Sequence, residues 1–468
     1  MQTRKDLLQA HRLMTQRASQ ALMLGEPDTP ELPLRRLNVA TFSGVMVAIL
    51  VMAAFGIWGL LTHSGAQVDK PGTIIIEKET GARYVWCVDG HKLCPVLNYT
   101  SAKLVAGSGQ TLVSRDSLSA YDHGPLIGIP GAPDTLPDAK KLVKMPWSVC
   151  VRAVDSALSG HTSMVSLVAG RTVGGQPLPD DQAILVQADK QSWLIWRDKR
   201  MRVPSAEVSG LSSTVSPAQI AGKWLNALPE GADFKAPDIS GRGQIVPGPK
   251  GNAPVGQLYT AATVSGTAWY VLMHDGLARI SEIEGQLMKL DPSAKGSANP
   301  QNLDPSTLGN APKHQGSITS PDLQAKIPTI TTYTDTSPLC AIYSDQSGNA
   351  AARLTIGGQL PAPPQTASGG VNGVDQLVFP PGRAALVGVL PSQGRVNVVS
   401  TFYLVTDGRR FALQSADVAQ KLGYDPQTDA IPVPASVVEL IPNGPVLDPT
   451  TAAHEVPVDQ TTAAQPPG

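Results

Sequence analysis

The feature that most constrains this chain is an apolar stretch of 23 residues, Val39 to Leu61, without a charged side chain. At about 1.5 Å per residue, a helix of this length crosses a hydrocarbon core of roughly 30 Å. The hydroxyls of Thr41 and Ser43 can bond to the helix's own carbonyl groups. Trp58 stands near the downstream end, where indole rings favour the membrane interface. The sequence therefore predicts a transmembrane helix over residues 39–61.

A signal peptide and a soluble core helix both fit this stretch less well. A cleaved signal peptide has an apolar region of ~7–15 residues near the N-terminus. Here 38 residues precede the stretch, and Ser64-Gly65-Ala66 is a weak cleavage site. A helix in the core of a soluble domain normally keeps one polar face, whereas this segment is apolar on every face.

Basic residues and cysteines predict the orientation of the chain. The N-terminal tail holds six basic residues, and Arg35 and Arg36 stand just before the apolar stretch. The positive-inside rule therefore predicts a cytoplasmic N-terminus. All four cysteines follow the stretch, and their even number suits disulfides in an oxidising compartment. We expect a single-pass membrane protein whose bulk, residues 62–468, is extracytoplasmic.

The composition excludes some classes of function. The 407 residues after the anchor are too many for one ordinary domain, so several modules are expected. Charged residues make up 16% of the chain and the net charge is −1, so no field strong enough to gather nucleic acid is expected. With 44 glycines and 41 prolines, the exported region is predicted to consist of short strands and many loops.

The N-terminal tail has the pattern of an amphipathic helix between Thr3 and Leu24. Thr3 and Asp6 are spaced as a capping box, and Gly25 is a plausible C-terminal stop. Such a helix either rests on lipid headgroups or docks on a cytoplasmic partner, and the sequence leaves both open. The predicted stripe consists of Leu7, His11, Met14, Ala18 and Leu22.

One pattern recurs four times after the anchor. An aromatic residue stands five positions before an aspartate, apolar residues lie between them, and a second strand-like run follows. Asp-Gly between two such runs predicts a β-hairpin, because glycine tolerates the positive φ of the turn. In the second copy Lys199 replaces the glycine. The predicted turns are at Asp89, Asp198, Asp275 and Asp407.

Each predicted hairpin is followed by a serine that can cap a short helix. These serines are Ser101, Ser205, Ser281 and Ser415. Apolar, β-branched runs between the hairpins predict short strands of a separate core. They begin at Val165, Ala183, Leu258 and Arg383. After Ile441 the tail has too little apolar content to pack and is expected to be partly disordered.

The predicted fold class is a single transmembrane helix followed by a mainly-β, α+β extracytoplasmic region. In that region four β-hairpin–helix modules are inserted around a disulfide-linked, β-rich core. The predicted division is a cytoplasmic tail (1–38), the anchor (39–61), module 1 (72–108), a first core segment (109–185), module 2 (186–213), a second core segment (214–262), module 3 (263–292), a third core segment with linkers (293–395), module 4 (396–426) and a C-terminal extension (427–468).

Four cysteines allow three pairings. Cys87 and Cys94 flank the first turn, and pairing Val88 with Leu93 would place them opposite each other within disulfide reach. That leaves Cys150 with Cys340, which would tie together core segments 190 residues apart. A zinc site is the alternative, but two cysteines with six residues between them and two distant ones match zinc spacing poorly.

We find no catalytic motif in the sequence. A phosphate-binding P-loop needs a serine or threonine after its Gly-Lys pair. Here Trp224 follows Gly222-Lys223, and Pro217 stands where the first glycine belongs. No zinc box or Ser-His-Asp order is recognisable. Catalytic residues are therefore unknown, and no cofactor or metal is expected.

Motifs spread over nearly the whole chain resemble the EccB family of actinobacterial type VII (ESX) secretion systems. The motifs that carry this resemblance are Gln9–Arg12, Glu79–Tyr84, Pro95–Tyr99, Ile127–Pro133, Trp147–Cys150, Pro381–Ala385, Phe402–Asp407 and Leu440–Pro449.

The resemblance implies an inner-membrane subunit that assembles with EccC, EccD, EccE and the mycosin-type protease. It also implies an elongated extracytoplasmic region, and ectodomains that associate to frame or gate the export path. EccC is the cytoplasmic motor of that family. Cys150 and Cys340 fall where the family's core disulfide would lie, whereas a Cys87–Cys94 pair departs from most members. In the anchor, Gly44 and Ala48 are spaced for close helix packing, and the flanking residues would contact membrane lipids.

Two further functions are weighed against this one. The family has been described as an extracytoplasmic ATPase, in which case ATP would be the ligand, although no motif here supports it. Small β repeats on a membrane anchor can also bind cell-wall glycan. We retain both as alternatives to a structural role.

Overall fold

The structure is a computed structural model. It describes residues 3–25, 33–61, 68, 72–156, 160–205, 207–208, 216–264, 266–291, 294, 297, 299–323, 326–345, 351–364, 373–390, 399 and 401–457. The chain divides into two compact units, Met1–Asp69 and Lys70–Gly468, which we call unit 1 and unit 2.

The helices are short except in unit 1. In chain order they are α1 (Arg4–Leu24), α2 (Pro33–Leu61), α3 (Tyr99–Ala106), α4 (Arg115–Leu118), α5 (Gly222–Leu225), α6 (Glu282–Leu290), α7 (Pro305–Asn310), α8 (Ala416–Lys421), α9 (Ala435–Glu439) and α10 (Pro449–Ala452).

All strands belong to unit 2. They are β1 (Thr73–Glu77), β2 (Arg83–Trp86), β3 (Leu93–Pro95), β4 (Gly109–Val113), β5 (Trp147–Ser156), β6 (Gly160–Ala169), β7 (Gln176–Pro177), β8 (Gln182–Ala188), β9 (Gln191–Trp196), β10 (Lys199–Val203), β11 (Ala218–Gln219), β12 (Ile245–Gly248), β13 (Gly251–Pro254), β14 (Leu258–Thr263), β15 (Gly266–Met273), β16 (Gly276–Ile280), β17 (Gln301–Leu303), β18 (Thr329–Ile330), β19 (Leu339–Tyr343), β20 (Arg353–Ile356), β21 (Gln376–Val378), β22 (Ala385–Leu390), β23 (Phe402–Thr406), β24 (Arg409–Leu413) and β25 (Ile431–Pro434).

Unit 1 contains the two predicted helices. The Asp6 carboxylate accepts a hydrogen bond from the Thr3 backbone N–H at 3.1 Å, and Gly25 ends α1 with a φ of 68°. Helix α2 begins six residues before the predicted anchor, so that Arg35 and Arg36 lie within it. Its Leu37–Trp58 segment is the one helix among the described residues that is long and apolar enough to cross a membrane.

Four sheets of unit 2 repeat one topology. In each, three consecutive strands form an antiparallel meander, and a fourth strand pairs in parallel with the first. We call these sheets module 1 (β1–β4), module 2 (β8–β11), module 3 (β14–β17) and module 4 (β22–β25). Helices α3, α6 and α8 connect the third and fourth strands of modules 1, 3 and 4.

The predicted modules are therefore incomplete. The runs at Ala183, Leu258 and Arg383, predicted to belong to a separate core, form β8, β14 and β22, the first strands of modules 2, 3 and 4. Strands β8 and β22 are buried on both faces, so their continuous apolar sequence does not differ from that of a core strand. The predicted boundary between residues 185 and 186 cuts β8, and the predicted C-terminal extension contains β25.

The position of each hairpin turn is set by the register of the two strands that it connects, and not always by the Asp-Gly dipeptide. In module 4, Asp407 and Gly408 form the turn with φ of 50° and 73°, as predicted. In module 3, Met273 pairs with Gly276. The turn is therefore His274-Asp275, one residue earlier than predicted, because packing of the strands fixes the register. The module 2 turn is likewise Arg197-Asp198.

The predicted helix caps have mixed outcomes. Ser281 caps α6 and forms a capping box with Glu284, as predicted. Ser101 lies inside α3 instead, because Asn98 is the cap and accepts a hydrogen bond from the Ser101 N–H at 2.9 Å. Ser415 precedes α8 without a side-chain cap bond. The helix predicted after Ser205 lies partly outside the described residues.

The repeat has a further segment that was not predicted. After the fourth strand, each module has a return segment that covers the outer edge of the third strand: residues 122–127, 229–234, 312–318 and 442–447. In each, a backbone N–H of the return segment bonds to a carbonyl of the third strand. The pairs are Gly124–Leu93, Gly231–Arg200, His314–Leu277 and Gly444–Arg410. The third strand is thus protected from pairing with another chain.

The glycine of the return segment lets a bulky side chain pack beneath it. A Cβ atom at Gly444 would lie 2.3 Å from the Phe411 ring, and Phe411 is only 2% exposed. We expect Gly444→Ala to lower the free energy of unfolding by about 1–3 kcal/mol through overpacking. Urea denaturation followed by tryptophan fluorescence measures this change.

The control for this substitution is Gly309→Ala, since a Cβ atom there meets nothing within 4 Å. It is expected to leave stability within about 0.5 kcal/mol of the original chain. The double variant Gly444→Ala/Phe411→Ala should show non-additive effects, because removing the ring removes the clash. Additive effects of the two substitutions would contradict the contact.

A central six-stranded sheet, ordered β21-β6-β5-β19-β20-β7, lies between the modules. Modules 2 and 4 pack into its hydrophobic cluster, for example through Ile184 and Val387. Module 2 also shares a cluster with module 3, and module 4 shares one with module 1, through Leu386 and Leu104. Successive residues of β8 therefore contact the central sheet and module 3 in alternation, and those of β22 contact the central sheet and module 1 in alternation. These shared contacts join the modules into one body.

The C-terminal segment packs, contrary to the prediction that the chain after Ile441 does not. Leu447 and Ala452 are fully buried, and Val456 is 4% exposed. The Val456 N–H bonds to the Leu126 carbonyl at 2.9 Å, and α10 lies against α3. Few apolar residues are needed here because they insert between surfaces that modules 1 and 4 already provide. Residues 458–468 lie outside the described residues.

Candidate functional site

The four predicted turn aspartates lie in four different modules and do not form one site. Asp89 accepts a hydrogen bond from the His91 N–H at 3.2 Å, as turn residues do. Asp275 bonds to His314 Nδ1 at 2.6 Å, and this bond lowers the pKa of the Asp275 carboxyl. Within the described portion of the chain, no group of His, Cys, Asp or Glu side chains is arranged to hold a metal ion.

Both disulfides are present in the structure. Cys150 and Cys340 lie directly opposite each other on β5 and β19, with both side chains fully buried and a Cα–Cα distance of 4.0 Å. Cys87 and Cys94 are also bonded, with a Cα–Cα distance of 5.2 Å. The register predicted for them is wrong, because Cys94 lies opposite Val85 rather than Cys87. The Cys87–Cys94 disulfide therefore joins residues that are diagonal to each other across the hairpin.

The residues tested as a phosphate cradle have structural roles. Lys223 lies on the four-residue helix α5, and its Nζ atom donates to Asp375 Oδ1 at 2.5 Å. Its side chain is only 13% exposed. Gly248 and Gly251 are the ends of the tight β12–β13 turn.

The Lys223–Asp375 pair is the centre of a junction between three regions of unit 2. Asp375 Oδ2 accepts from the Val165 N–H of β6 at 2.8 Å, and the Asp375 N–H donates to the Val165 carbonyl at 2.8 Å. The neighbouring Val374 N–H bonds to the Leu440 carbonyl after α9. The junction thus connects α5 after module 2, the central sheet and the end of module 4. We call it the three-way junction.

A second charged cluster, which the sequence analysis missed, closes one end of the central sheet. His161 on β6 bonds through Nε2 to Asp335 at 3.0 Å and through Nδ1 to Asp155 at 2.9 Å. These two carboxylates raise the pKa of His161. The sequence offers no signal for it, because Asp335 is 174 residues away.

The His161 cluster predicts a pH dependence. Because its folded-state pKa is raised, the cluster stabilises the fold fully below the ordinary histidine pKa of 6.5, and this contribution is lost as pH rises through the folded-state value. We expect the melting temperature of His161→Gln to fall furthest below that of the original chain at acidic pH. Thermal unfolding at about pH 5.5 and pH 8.5 tests this.

His91→Gln is the matched control, because His91 is exposed at a hairpin turn away from this cluster. Its melting temperature should differ from that of the original chain equally at both pH values. A deficit of His161→Gln that grows as pH rises would contradict the predicted sign.

Comparison with known proteins gives the family of the chain. A family model described as "Type VII secretion system ESX-1, transport TM domain B" matches residues 1–458. The chain belongs to the EccB family. This confirms the resemblance found in the sequence.

Curated EccB relatives align over most of their length. The chain is 28% identical over 445 residues to the "ESX-3 secretion system ATPase EccB3" of Mycolicibacterium smegmatis, covering 89% of this chain and 83% of the relative. It is 30% identical over 455 residues to the "ESX-2 secretion system ATPase EccB2" of Mycobacterium tuberculosis, covering 90% and 86%.

Solved EccB structures share the fold. The structure titled "Structure of EccB3 dimer from the ESX-3 core complex" matches with a TM-score of 0.60 and 26% identity, over 81% of this chain and 99% of that one. A chain of the "intact ESX-5 inner membrane complex" matches with a TM-score of 0.62 and 23% identity, over 98% and 96%. The predicted class of one apolar helix and a mostly β, disulfide-containing body is confirmed.

Proposed function

We propose that this EccB chain is a structural subunit of a type VII secretion complex, fixed in the membrane by α2. The observation that carries the proposal is the interlocking of the four modules through shared hydrophobic clusters. Close-packed interiors resist deformation, so such a body can hold partners at fixed positions. The charged side chains of the three-way junction are engaged within the chain.

The partners we propose are EccC, EccD, EccE and the mycosin-type protease, together with a second copy of this chain. The similar structures, an inner membrane complex and an EccB3 dimer, support association with other secretion subunits and with a second copy. The basic residues Arg35 and Arg36 favour a cytoplasmic N-terminus for α1 and an extracytoplasmic unit 2. There the body would frame or gate the export path.

Purification from the source organism tests the proposal. The tagged chain, extracted in mild detergent, is expected to migrate on native gels as a large assembly that contains other secretion subunits by mass spectrometry. A variant with Gly44→Leu and Ala48→Leu should give less of it, since both residues permit close helix approach. Val45→Leu and Ile49→Leu are the matched control. Recovery of the original chain only as a free monomer would overturn the proposal.

ATP hydrolysis is the second function to test, because the curated relatives carry the name ATPase. Purified full chain would then turn over ATP with saturable kinetics, and the activity would stay with the protein on a sizing column. Activity that separates from the chain would exclude this function.

A further inference from the structure

Module 3 departs from the repeat at two neighbouring positions. In modules 1, 2 and 4 the return segment has glycine over a larger residue of the third strand. The pairs are Gly124 over Cys94, Gly231 over Met201 and Gly444 over Phe411. In module 3 the equivalent residues are His314 and Ala278, so the larger side chain has moved from the strand to the return segment.

The histidine of this exchange lines a groove of about 950 Å³ on module 3. His314 is held in place by Asp275, whose second oxygen accepts from the Gln315 N–H at 3.2 Å. The groove is lined by residues of β14, β15 and β16, of α7 and of the return segment. Its lining includes the hydroxyl side chains of Thr263, Ser317 and Thr319.

Two cations in this groove lack an acidic partner. Arg279 lies on β16 beside Tyr270, its register partner on β15. Lys313 forms a backbone bridge with Leu277, which precedes Arg279 by two residues and therefore lies on the same face of β16. Among the residues that the structure describes, neither cation forms an ion pair. Glu282 is the only acid among the lining residues and lies at the exposed start of α6.

Module 2 carries an acid at the corresponding position of its return segment. There the return-segment residue equivalent to Lys313 is Glu230, which pairs with Arg200 at 3.4 Å. Module 3 replaces that acid with a base and adds Arg279 nearby. The charge of its groove is therefore complementary to an acidic ligand from outside the chain.

We propose that the module 3 groove binds an extended acidic peptide segment of a partner protein. Carboxylates of the peptide pair with Arg279 and Lys313, and an apolar or aromatic side chain packs on Tyr270. This proposal goes beyond the scaffold role, because it gives unit 2 a recognition surface for one chemical class of partner.

The test uses the full chain in detergent and three probes. The first is a fluorescein-labelled peptide of about ten residues in which glutamates alternate with serine and a central tyrosine. The second is the same peptide with lysine in place of glutamate, and the third is polygalacturonate as a competitor that carries carboxylates on sugar. Fluorescence anisotropy is expected to show saturable binding of the acidic peptide that weakens as salt is added.

The variant Arg279→Gln/Lys313→Gln is expected to bind the acidic peptide about tenfold more weakly, because charge-assisted hydrogen bonds are lost. The matched control is Arg353→Gln/Lys421→Gln, which removes two exposed cations elsewhere in unit 2 and should bind as the original chain does. A photo-crosslinker in the peptide should label residues 262–282 or 305–319.

Four results would overturn the proposal. These are no saturable binding of the acidic peptide, equal weakening in the control variant, equal binding of the lysine peptide, or tighter binding of polygalacturonate than of the peptide. The last would assign the groove to a sugar acid instead. Failure of any kind leaves the scaffold role untouched, because assembly of the complex is measured separately.

Discussion

Replacing Asp375 with alanine is expected to lower the free energy of unfolding by about 3–5 kcal/mol, because it removes the carboxylate that pairs with the buried Lys223 ammonium. The Asp375 side chain is only 4% exposed, and its carboxylate also accepts the Val165 N–H. Loss of both contacts should loosen the three-way junction as a whole. Urea denaturation of the full chain in detergent measures the change.

Two variants separate this cause from a general loss of packing. Asp238→Ala breaks the Lys235–Asp238 ion pair, in which the Asp238 side chain is 89% exposed, and should cost at most about 1 kcal/mol. Lys223→Met/Asp375→Leu removes both charges and should be more stable than Asp375→Ala alone. A loss below about 1 kcal/mol for Asp375→Ala would show that the pair is not buried as described.

Removing the Cys150–Cys340 disulfide is the second large effect that we expect. The double variant Cys150→Ala/Cys340→Ala should lose about 2–5 kcal/mol of stability, since a loop of 190 residues is no longer closed in the unfolded chain. The buried sulfur atoms also leave a cavity in the central sheet. Thermal and urea unfolding under non-reducing conditions measure the loss.

The Cys87–Cys94 disulfide is the internal control. It closes a separation of only 7 residues, so Cys87→Ala/Cys94→Ala should lose less stability. In the native chain a mild reductant should open this bond first, because Cys87 is half-buried whereas Cys150 and Cys340 are fully buried. Mass spectrometry after alkylation identifies the opened bond. Earlier opening of Cys150–Cys340 would contradict the described burial.

Local sequence is sufficient for the elements that depend on local interactions. The anchor follows from a run of apolar residues, and the α1 cap follows from Thr3 and Asp6, which are three residues apart. The hairpin between the second and third strands has an Asp-Gly signal in modules 1, 3 and 4. The first strands at Ala183, Leu258 and Arg383 are recognisable as strands but not as members of their sheets, because pairing is a long-range property.

Contacts between distant segments of the chain cannot be predicted from the sequence for the same physical reason. Lys223 and Asp375 are 152 residues apart, and each by itself resembles an ordinary surface charge. The return segments contain few apolar residues, and their fit depends on a glycine meeting a particular side chain such as Phe411. The exchange of large and small residues between the return segment and the third strand in module 3 can be recognised only when the four modules are superposed.

We propose that unit 2 acts as a scaffold only when α2 holds it in the membrane. The test is secretion by a strain lacking this chain, after complementation with either the full chain or residues 70–468 exported behind a cleavable leader. We expect the full chain to restore secretion of the system's substrates and the released body to fail to do so. Full restoration by the released body would contradict the claim.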